Sequence, residues 1–237
     1  MDIHYATLET CSGATDTVVV IDVWRSFTTA ACAFASGARD IVTVGSSEEA
    51  VALRDRIPGA LLMGMGVSVV GPPAEGFDFE NSPVDLMNND LSDRRLIQCT
   101  PNGTKGIVRS KNAESLLAGS FVCAEATVRY IKQRSPAQVT FVSTESGEGE
   151  DQICGEYMAA LLCDKVLAVT AALNEIREIG WERTRRFVAK GVMIETQGTK
   201  LMADLDCCLT LDRFDFAMLV QRQNGLLIME PVFQRGG

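Results

Sequence analysis

Short apolar runs alternate along this chain with polar stretches of helical length. Residues 18–21, Val-Val-Val-Ile, form an unbroken β-branched run, which suits a strand buried on both faces of a sheet. Residues 3–7, 41–44, 60–63, 95–100, 120–124 and 139–143 predict further strands. After the 18–21 run, small apolar residues open a helix that Ser26 or Thr28 can cap and that Gly37 stops. Ser46-Ser47-Glu48-Glu49 opens a second helix to about Arg56, with hydroxyl caps and first-turn acids. Helices are also predicted over 107–117, 126–134, 154–169 and 201–211, with more heavily charged helix over 171–190. Near the end, 216–220 and 226–229 straddle Arg222-Gln223-Asn224-Gly225, a hairpin signal read with a loop longer than two residues. The β-α-β-α-β order of the first part predicts an α/β fold. Its sheet is largely parallel or mixed, with helices on both faces and right-handed crossovers. One compact unit over 1–237 is expected, with lobes 1–138 and 139–237 as the alternative division.

Candidate chemistry gathers where predicted strands end, the place where open α/β sheets bind ligands. Asp22 follows the 18–21 run, with Arg25, Ser26, Thr28 and Thr29 just behind it. A carboxylate, a guanidinium and hydroxyls together suit a metal and an anion; an Asp that caps a turn and pairs with the Arg is the plainer alternative. Glu75, Asp78, Glu80 and Asn81 crowd a turn-rich loop and offer a hard-cation site, against the alternative of simple solvation. The 95–100 run leads into Pro101-Asn102-Gly103-Thr104-Lys105-Gly106, where backbone N–H groups before a helix can cradle a phosphate. This is not a P-loop, and Gly64-Met65-Gly66 lacks the third glycine of a dinucleotide fingerprint. The 139–143 run ends in a third cluster that includes Glu145, Glu150 and Asp151.

Composition narrows the choices. The net charge of -9 argues against nucleic acid and requires local positive charge or a cation for any anionic substrate. No run reaches membrane-span length and no basic, apolar leader opens the chain, so a cytoplasmic location is expected. Eight cysteines without a CxxC read as buried free thiols in a reducing compartment. With His4 the only histidine, a structural zinc site and a Ser-His-Asp triad are both disfavoured. A homodimer is the default for a small enzyme of this kind.

The series IDVWRSFTTA, EGFDFENSP, TPNGTKGI and GEGEDQICGE, with the later DLDCCLTLDRFDFAMLV, resembles the 2-phosphosulfolactate phosphatase (ComB-like) family over most of the chain. The resemblance implies an α/β fold and Mg²⁺-dependent hydrolysis of 2-phosphosulfolactate to sulfolactate and phosphate, a step of coenzyme M-type biosynthesis. Asp22 is then the first candidate for Mg²⁺, with Glu75 and Asp78 next and one of these two as a possible general base. Arg25 is the candidate for a two-pronged contact with phosphate or sulfonate. Asn102, Gly103 and Thr104 are placed around the phosphate, with Lys105, Ser26 and Thr28 beside them and Glu150 or Asp151 orienting water. A covalent aspartyl-phosphate on Asp22 is the alternative, although Trp24 stands where the haloacid-dehalogenase pattern has its second Asp. A thiolate nucleophile at Cys154 is disfavoured by Glu150 and Asp151. The chain departs from the family pattern at Met65, usually an acid, and at Pro101. A phosphatase for another small phosphorylated acid and a non-catalytic anion-binding member are the competing functions.

Overall fold

The computed structural model describes residues 1–64, 74–145 and 149–233. Met65 and the 65–73 stretch therefore lie outside the described residues. The elements run β1 (Asp2–Thr7), β2 (Asp16–Ile21), α1 (Ser26–Ala35), β3 (Asp40–Thr43), α2 (Ser47–Arg56), β4 (Leu61–Gly64), β5 (Phe79–Glu80), α3 (Pro83–Met87), β6 (Arg95–Cys99) and α4 (Gly103–Arg109). They continue with β7 (Ala113–Gly119), α5 (Ala124–Arg134), β8 (Gln138–Ser143), α6 (Glu150–Leu162), α7 (Thr170–Ala189), α8 (Glu195–Cys208), β9 (Phe216–Gln223) and β10 (Leu226–Phe233).

All ten described strands join one mixed sheet in the order β1-β8-β2-β7-β9-β10-β3-β6-β4-β5. The first four are mutually parallel, and so are the last four. The β9–β10 hairpin joins the two blocks with antiparallel pairings on both sides. Strands from the early and late parts of the chain are thus interleaved. The sheet curls: Ser26 just past β2 and Thr100 just past β6 meet through their hydroxyls at 3.0 Å.

The β2 run is buried on both faces, as its composition predicts. Val18 and Val20 pack with Phe27, Ala30 and Ala31 of α1, while Val19 and Ile21 pack with Val128 and Ile131 of α5 and Met158 of α6. Helix α1 lies inside the curl with nine of its ten residues, Ser26 to Phe34, buried. Its run Ala30-Ala31-Cys32-Ala33 is narrow enough for that enclosure. Helix α2 begins as predicted, with Ser46 Oγ accepting from Glu49 N at 3.2 Å.

Several local expectations are corrected. Helix α4 ends at Arg109, and 113–117 belongs to strand β7, whose Leu116 and Leu117 pair with both β2 and β9. Burial between two strands outweighs the helical spacing there. Residues 120–124 do not form a strand; Phe121–Cys123 is a 3₁₀ turn leading into α5. The long apolar helix predicted from 154 starts earlier, at Glu150, and stops at Leu162, where Asp164 takes a left-handed conformation (φ 55°). Helix α1 is capped by neither Ser26 nor Thr28; the Asp22 carboxylate accepts the Ser26 N–H instead.

The hairpin turn is also tighter than expected. Gln223 pairs directly with Leu226, leaving only Asn224 (φ 52°) and Gly225 (φ 80°) in the loop. Both angles are positive, the signature of a type I′ turn, and Asn-Gly is its preferred sequence. Gly225→Val places a β-branched residue where L side chains are strained, at a cost of about 1–2 kcal/mol. Urea denaturation should show a lower midpoint for Gly225→Val and a smaller loss for Asn224→Gly. Equal midpoints for wild type and Gly225→Val would contradict this turn assignment.

Candidate active site

The ends of β2, β6, β7 and β8 meet around Asp22. Its amide bonds to the O of Gly119, the last residue of β7, at 3.3 Å, and Thr144 N bonds to Ile21 O at 3.2 Å. The side chain is buried, with the residue 6% exposed. Its Oδ1 accepts from Ser26 N at 3.1 Å, and the Gly103 N–H also donates to the carboxylate. A Cβ on Gly103 would lie 2.6 Å from Ser26 Oγ and 2.7 Å from Asp22 Oδ2. Glycine is required here for close approach rather than for an unusual φ.

Hydroxyl groups fasten this junction. Thr100 Oγ1 bonds to Ser26 Oγ and accepts from Thr104 N at 3.2 Å, while Thr104 Oγ1 donates to Thr100 O at 3.0 Å. Gln98 Nε2 donates to Ser26 O at 2.9 Å. Thr28 Oγ1 donates to Val23 O at 2.9 Å and lies 2.6 Å from Ser120 Oγ. Ser26, Thr28 and Thr104 are all fully buried. They brace the strand ends. The Gly103 and Thr104 amides are likewise occupied, by Asp22 and Thr100, so these parts of the expected phosphate cradle support the turn itself. Asn102, half-buried, and Lys105, exposed, sit on its solvent side.

Asp151, in the first turn of α6, ties β2 to β8. Its Oδ1 accepts from Val23 N at 2.8 Å; its Oδ2 accepts from Thr144 N and Thr144 Oγ1, both at 3.0 Å, and from Glu145 N at 3.3 Å. The carboxylates press on one another. Burial, then the charge of Asp151, pushes Asp22 up to about 8 against the pull of its two N–H donors. Burial and the Glu150 charge push Asp151 up to about 6. Glu145 rises to about 7 through burial, then Glu150 and Asp151.

A second polar cluster adjoins the first. Arg25 Nη1 contacts Asp204 Oδ2 of α8 at 2.9 Å, in an ion pair almost entirely out of water. Asp204 Oδ1 accepts from Ser82 Oγ at 2.8 Å and from Val84 N at 3.2 Å. Lys200, one helical turn earlier, contacts Glu80 and Asp85; burial lowers its pKa. The FENSP segment is thereby clamped onto α8.

The structure brings together Asp22, Arg25, Ser26, Thr28, Asn102, Gly103, Thr104 and Asp151. It does not bring Glu75 and Asp78 to Asp22. Both are exposed, and Asp78 Oδ2 accepts from Leu62 N at 2.8 Å near the start of β4. The charges that bear on Asp22 are those of Asp151 and Glu145. Among the described residues, no three acidic, cysteine or histidine side chains converge as a metal cage. Sequence reading missed Asp204. Its signal was a carboxylate on the buried stripe Leu201, Asp204, Leu205, Cys208 of an amphipathic helix. Cys154 is fully buried with its thiol pushed well up, first by burial and then by Asp151, which makes it a poor nucleophile.

Comparison with known proteins adds family evidence. The sequence model described as 2-phosphosulpholactate phosphatase matches residues 4–223. A probable 2-phosphosulfolactate phosphatase of Carboxydothermus hydrogenoformans is 31% identical over 221 residues, 90% of each chain. One from Bacillus subtilis is 34% identical over 161 residues, covering 66% of this chain and 68% of that one. One from Synechocystis is 32% identical over 164 residues, 68% of each chain.

Two predictions follow from this geometry. Gly103→Ala forces Asp22 or Ser26 aside and should cost about 1–3 kcal/mol in chemical denaturation. Unchanged stability would mean the turn can retreat from Asp22. The second concerns pH. A carboxyl whose folded pKa is raised stabilises the fold below its unfolded value, and that contribution is lost as pH rises through the folded value. For Asp22 the window runs from 3.8 to about 8, and Glu145 and Asp151 act in the same sense. In EDTA the melting temperature should fall between pH 5 and pH 8, and Asp22→Asn should flatten that slope. An equally steep slope in the variant would show that Asp22 keeps an ordinary carboxyl pKa.

Proposed function

The chain belongs to the 2-phosphosulfolactate phosphatase family, and we propose that it hydrolyses 2-phosphosulfolactate to sulfolactate and inorganic phosphate. It is a phosphoric monoester hydrolase. The observation that carries the substrate-level reading is Asp22: a buried carboxylate, raised into the neutral range, where four strand ends meet. Of the five sequence stretches behind the family resemblance, three reach this junction, and the EGFDFENSP and DLDCCLTLDRFDFAMLV stretches meet at the adjoining Arg25–Asp204 pair.

Phosphate monoesters are among the slowest bonds to hydrolyse, and enzymes act on them chiefly by positioning and by neutralising the transferring phosphoryl group. The substrate here carries a phosphate, a carboxylate and a sulfonate, and the junction around Asp22 already holds mutually repelling acids. Mg²⁺ fits that arrangement. It keeps several waters and is commonly held by one or two carboxylates plus phosphate oxygens, so a closed protein cage is not needed. Asp22 would hold it, since its neighbourhood favours a bound positive charge. Asp151 has both oxygens engaged and serves as a brace. When bound, Mg²⁺ neutralises charge on the phosphoryl group.

The chain's own residues divide the remaining work. Glu145 is held near pH 7, a value suited to taking a proton from the attacking water. Asn102 offers an amide to the phosphate and Lys105 a point charge. Arg25, oriented by Asp204, supplies positive charge for the sulfonate or carboxylate arm. Gly103 lets the turn close on Asp22, and Ser26, Thr28 and Thr104 keep it in place. A cytoplasmic step in coenzyme M-type biosynthesis accords with this substrate and with eight unpaired thiols.

Phosphate release from racemic 2-phosphosulfolactate and phospholactate, with Mg²⁺ and with EDTA, tests the reading. Release that favours the sulfonate, needs Mg²⁺ and falls by roughly a hundredfold or more in Asp22→Asn is expected. Equal turnover of both substrates would shift the function to a broader phosphatase. Full activity in Asp22→Asn would remove Asp22 from the chemistry, and no release from either ester by the folded protein would overturn the substrate assignment.

A further inference from the structure

Helices α1 and α8 come from early and late parts of the chain and are joined by the Arg25–Asp204 ion pair. A second contact between them is a pair of thiols. Cys32 Sγ of α1 and Cys207 Sγ of α8 lie 3.7 Å apart, although the two residues are 175 positions apart in sequence. Residues three, four or seven apart share a helix face. Cys32 follows Arg25 by seven positions and Cys207 follows Asp204 by three, so the thiols lie on the same inter-helix face as the ion pair.

The two thiols are not equivalent. Cys32 is fully enclosed, while Cys207 is 6% exposed and accepts a hydrogen bond from Arg213 Nη1 at 3.6 Å. Arg213 is itself exposed, so the guanidinium on the Cys207 sulfur borders solvent. The hydrogen bond from Cys32 lowers the Cys207 pKa against the effect of burial, and the Arg213 charge lowers it further. Cys32 is pushed up, first by the same bond and then by burial. Burial also pushes up Cys99, Cys123, Cys154 and Cys208. A thiol that only fills space has no use for a second thiol in contact and a cation on its sulfur. A thiolate-forming sulfur at the edge of solvent, with a second thiol behind it, is the arrangement of a peroxide-reactive cysteine and its resolving partner.

We infer that Cys207 and Cys32 form a reversible disulfide when the protein meets a hydroperoxide, and that the bond clamps α8 to α1. The Cys207 thiolate attacks one peroxide oxygen. The S–O bond forms as the O–O bond breaks, the sulfur loses two electrons, and the second oxygen leaves as hydroxide. The Cys32 sulfur then attacks Cys207 Sγ. The S–S bond forms, the S–O bond breaks, and the hydroxyl departs as water with the Cys32 proton. At 3.7 Å the sulfurs are in van der Waals contact, so nothing lies between them. A small dithiol reverses the bond by thiol–disulfide exchange, its own thiols being oxidised to a disulfide. In a reducing compartment the resting form is the dithiol, and the disulfide belongs to oxidative stress. The clamp acts on the helix whose Asp204 orients Arg25.

Hydrogen peroxide on the folded full chain tests this. Because Cys163 is exposed, the measurement is made in a Cys163→Ser background. Thiol titration should show the loss of a pair of thiols, and peptide mass mapping should place the new bond between Cys32 and Cys207. Dithiothreitol should restore both thiols. Arg213→Gln, at an exposed position, should slow the oxidation by roughly threefold or more. Cys32→Ala removes the resolving thiol and should leave a sulfenic acid at Cys207 that dimedone traps. Hydrogen exchange of the α8 amides should slow by roughly threefold or more on oxidation and recover on reduction. Circular dichroism checks that each variant is folded. Thiols that survive peroxide in the native protein, a disulfide that maps elsewhere, or α8 exchange unchanged by the bond overturns the proposal.

Discussion

Taking a carboxylate out of water is unfavourable, and the structure around Asp22 is organised by that constraint. Two backbone N–H groups, from Ser26 and Gly103, point at it. The first is the opening residue of α1 and the second of α4, so satisfying one side chain fixes two helix starts. Gly103 can approach only because it has no Cβ. The Thr100–Thr104–Ser26 bonds then prevent the turn from backing away. Asp151 works against Asp22 electrostatically, yet it ties β2 to β8 through its hydrogen bonds to Val23 and Thr144. A group that braces the site also raises the pKa at its centre, which is how perturbed acids arise in active sites.

The larger architecture makes that convergence possible. Two parallel blocks would ordinarily present two separate sets of strand ends. The β9–β10 hairpin stitches them into one sheet, and the sheet curls around α1. An enclosed helix must be thin, and Ala30, Ala31 and Ala33 make it so. The alternation of Val18 and Val20 against Val19 and Ile21 lets β2 serve the core on both sides. Without a fully apolar β2, the sheet could not carry α1 on one face and α5 with α6 on the other while holding Asp22 at its end.

This division explains what the sequence disclosed. Strand β2 was legible because a β-branched tetrapeptide has few other uses, and the Asn-Gly turn because its chemistry is local. The 113–119 strand was not, since its fate depends on β2 and β9, which lie far away in the chain. The same contrast holds in the site. Asp22, Ser26 and Gly103 sit at strand ends, where position and chemistry coincide. Glu75 and Asp78 were favoured by the density of acids in their loop, but density does not say which way a loop faces. Asp204 was hidden because helix α8 looks like an ordinary amphipathic helix unless the single charge on its apolar stripe is noticed.

Asp204 also changes how the FENSP segment should be understood. Glu80 and Ser82 of that segment reach Lys200 and Asp204 on α8. The segment thus secures the helix that pairs with Arg25. A buried pair of this kind contributes little net stability, because its desolvation cost offsets its attraction. Its effect is on geometry: Arg25 is held against α8, beside a junction dominated by carboxylates. Pairing Arg25 with Asp204, rather than with Asp22, keeps the guanidinium from neutralising the carboxylate at the centre of the site.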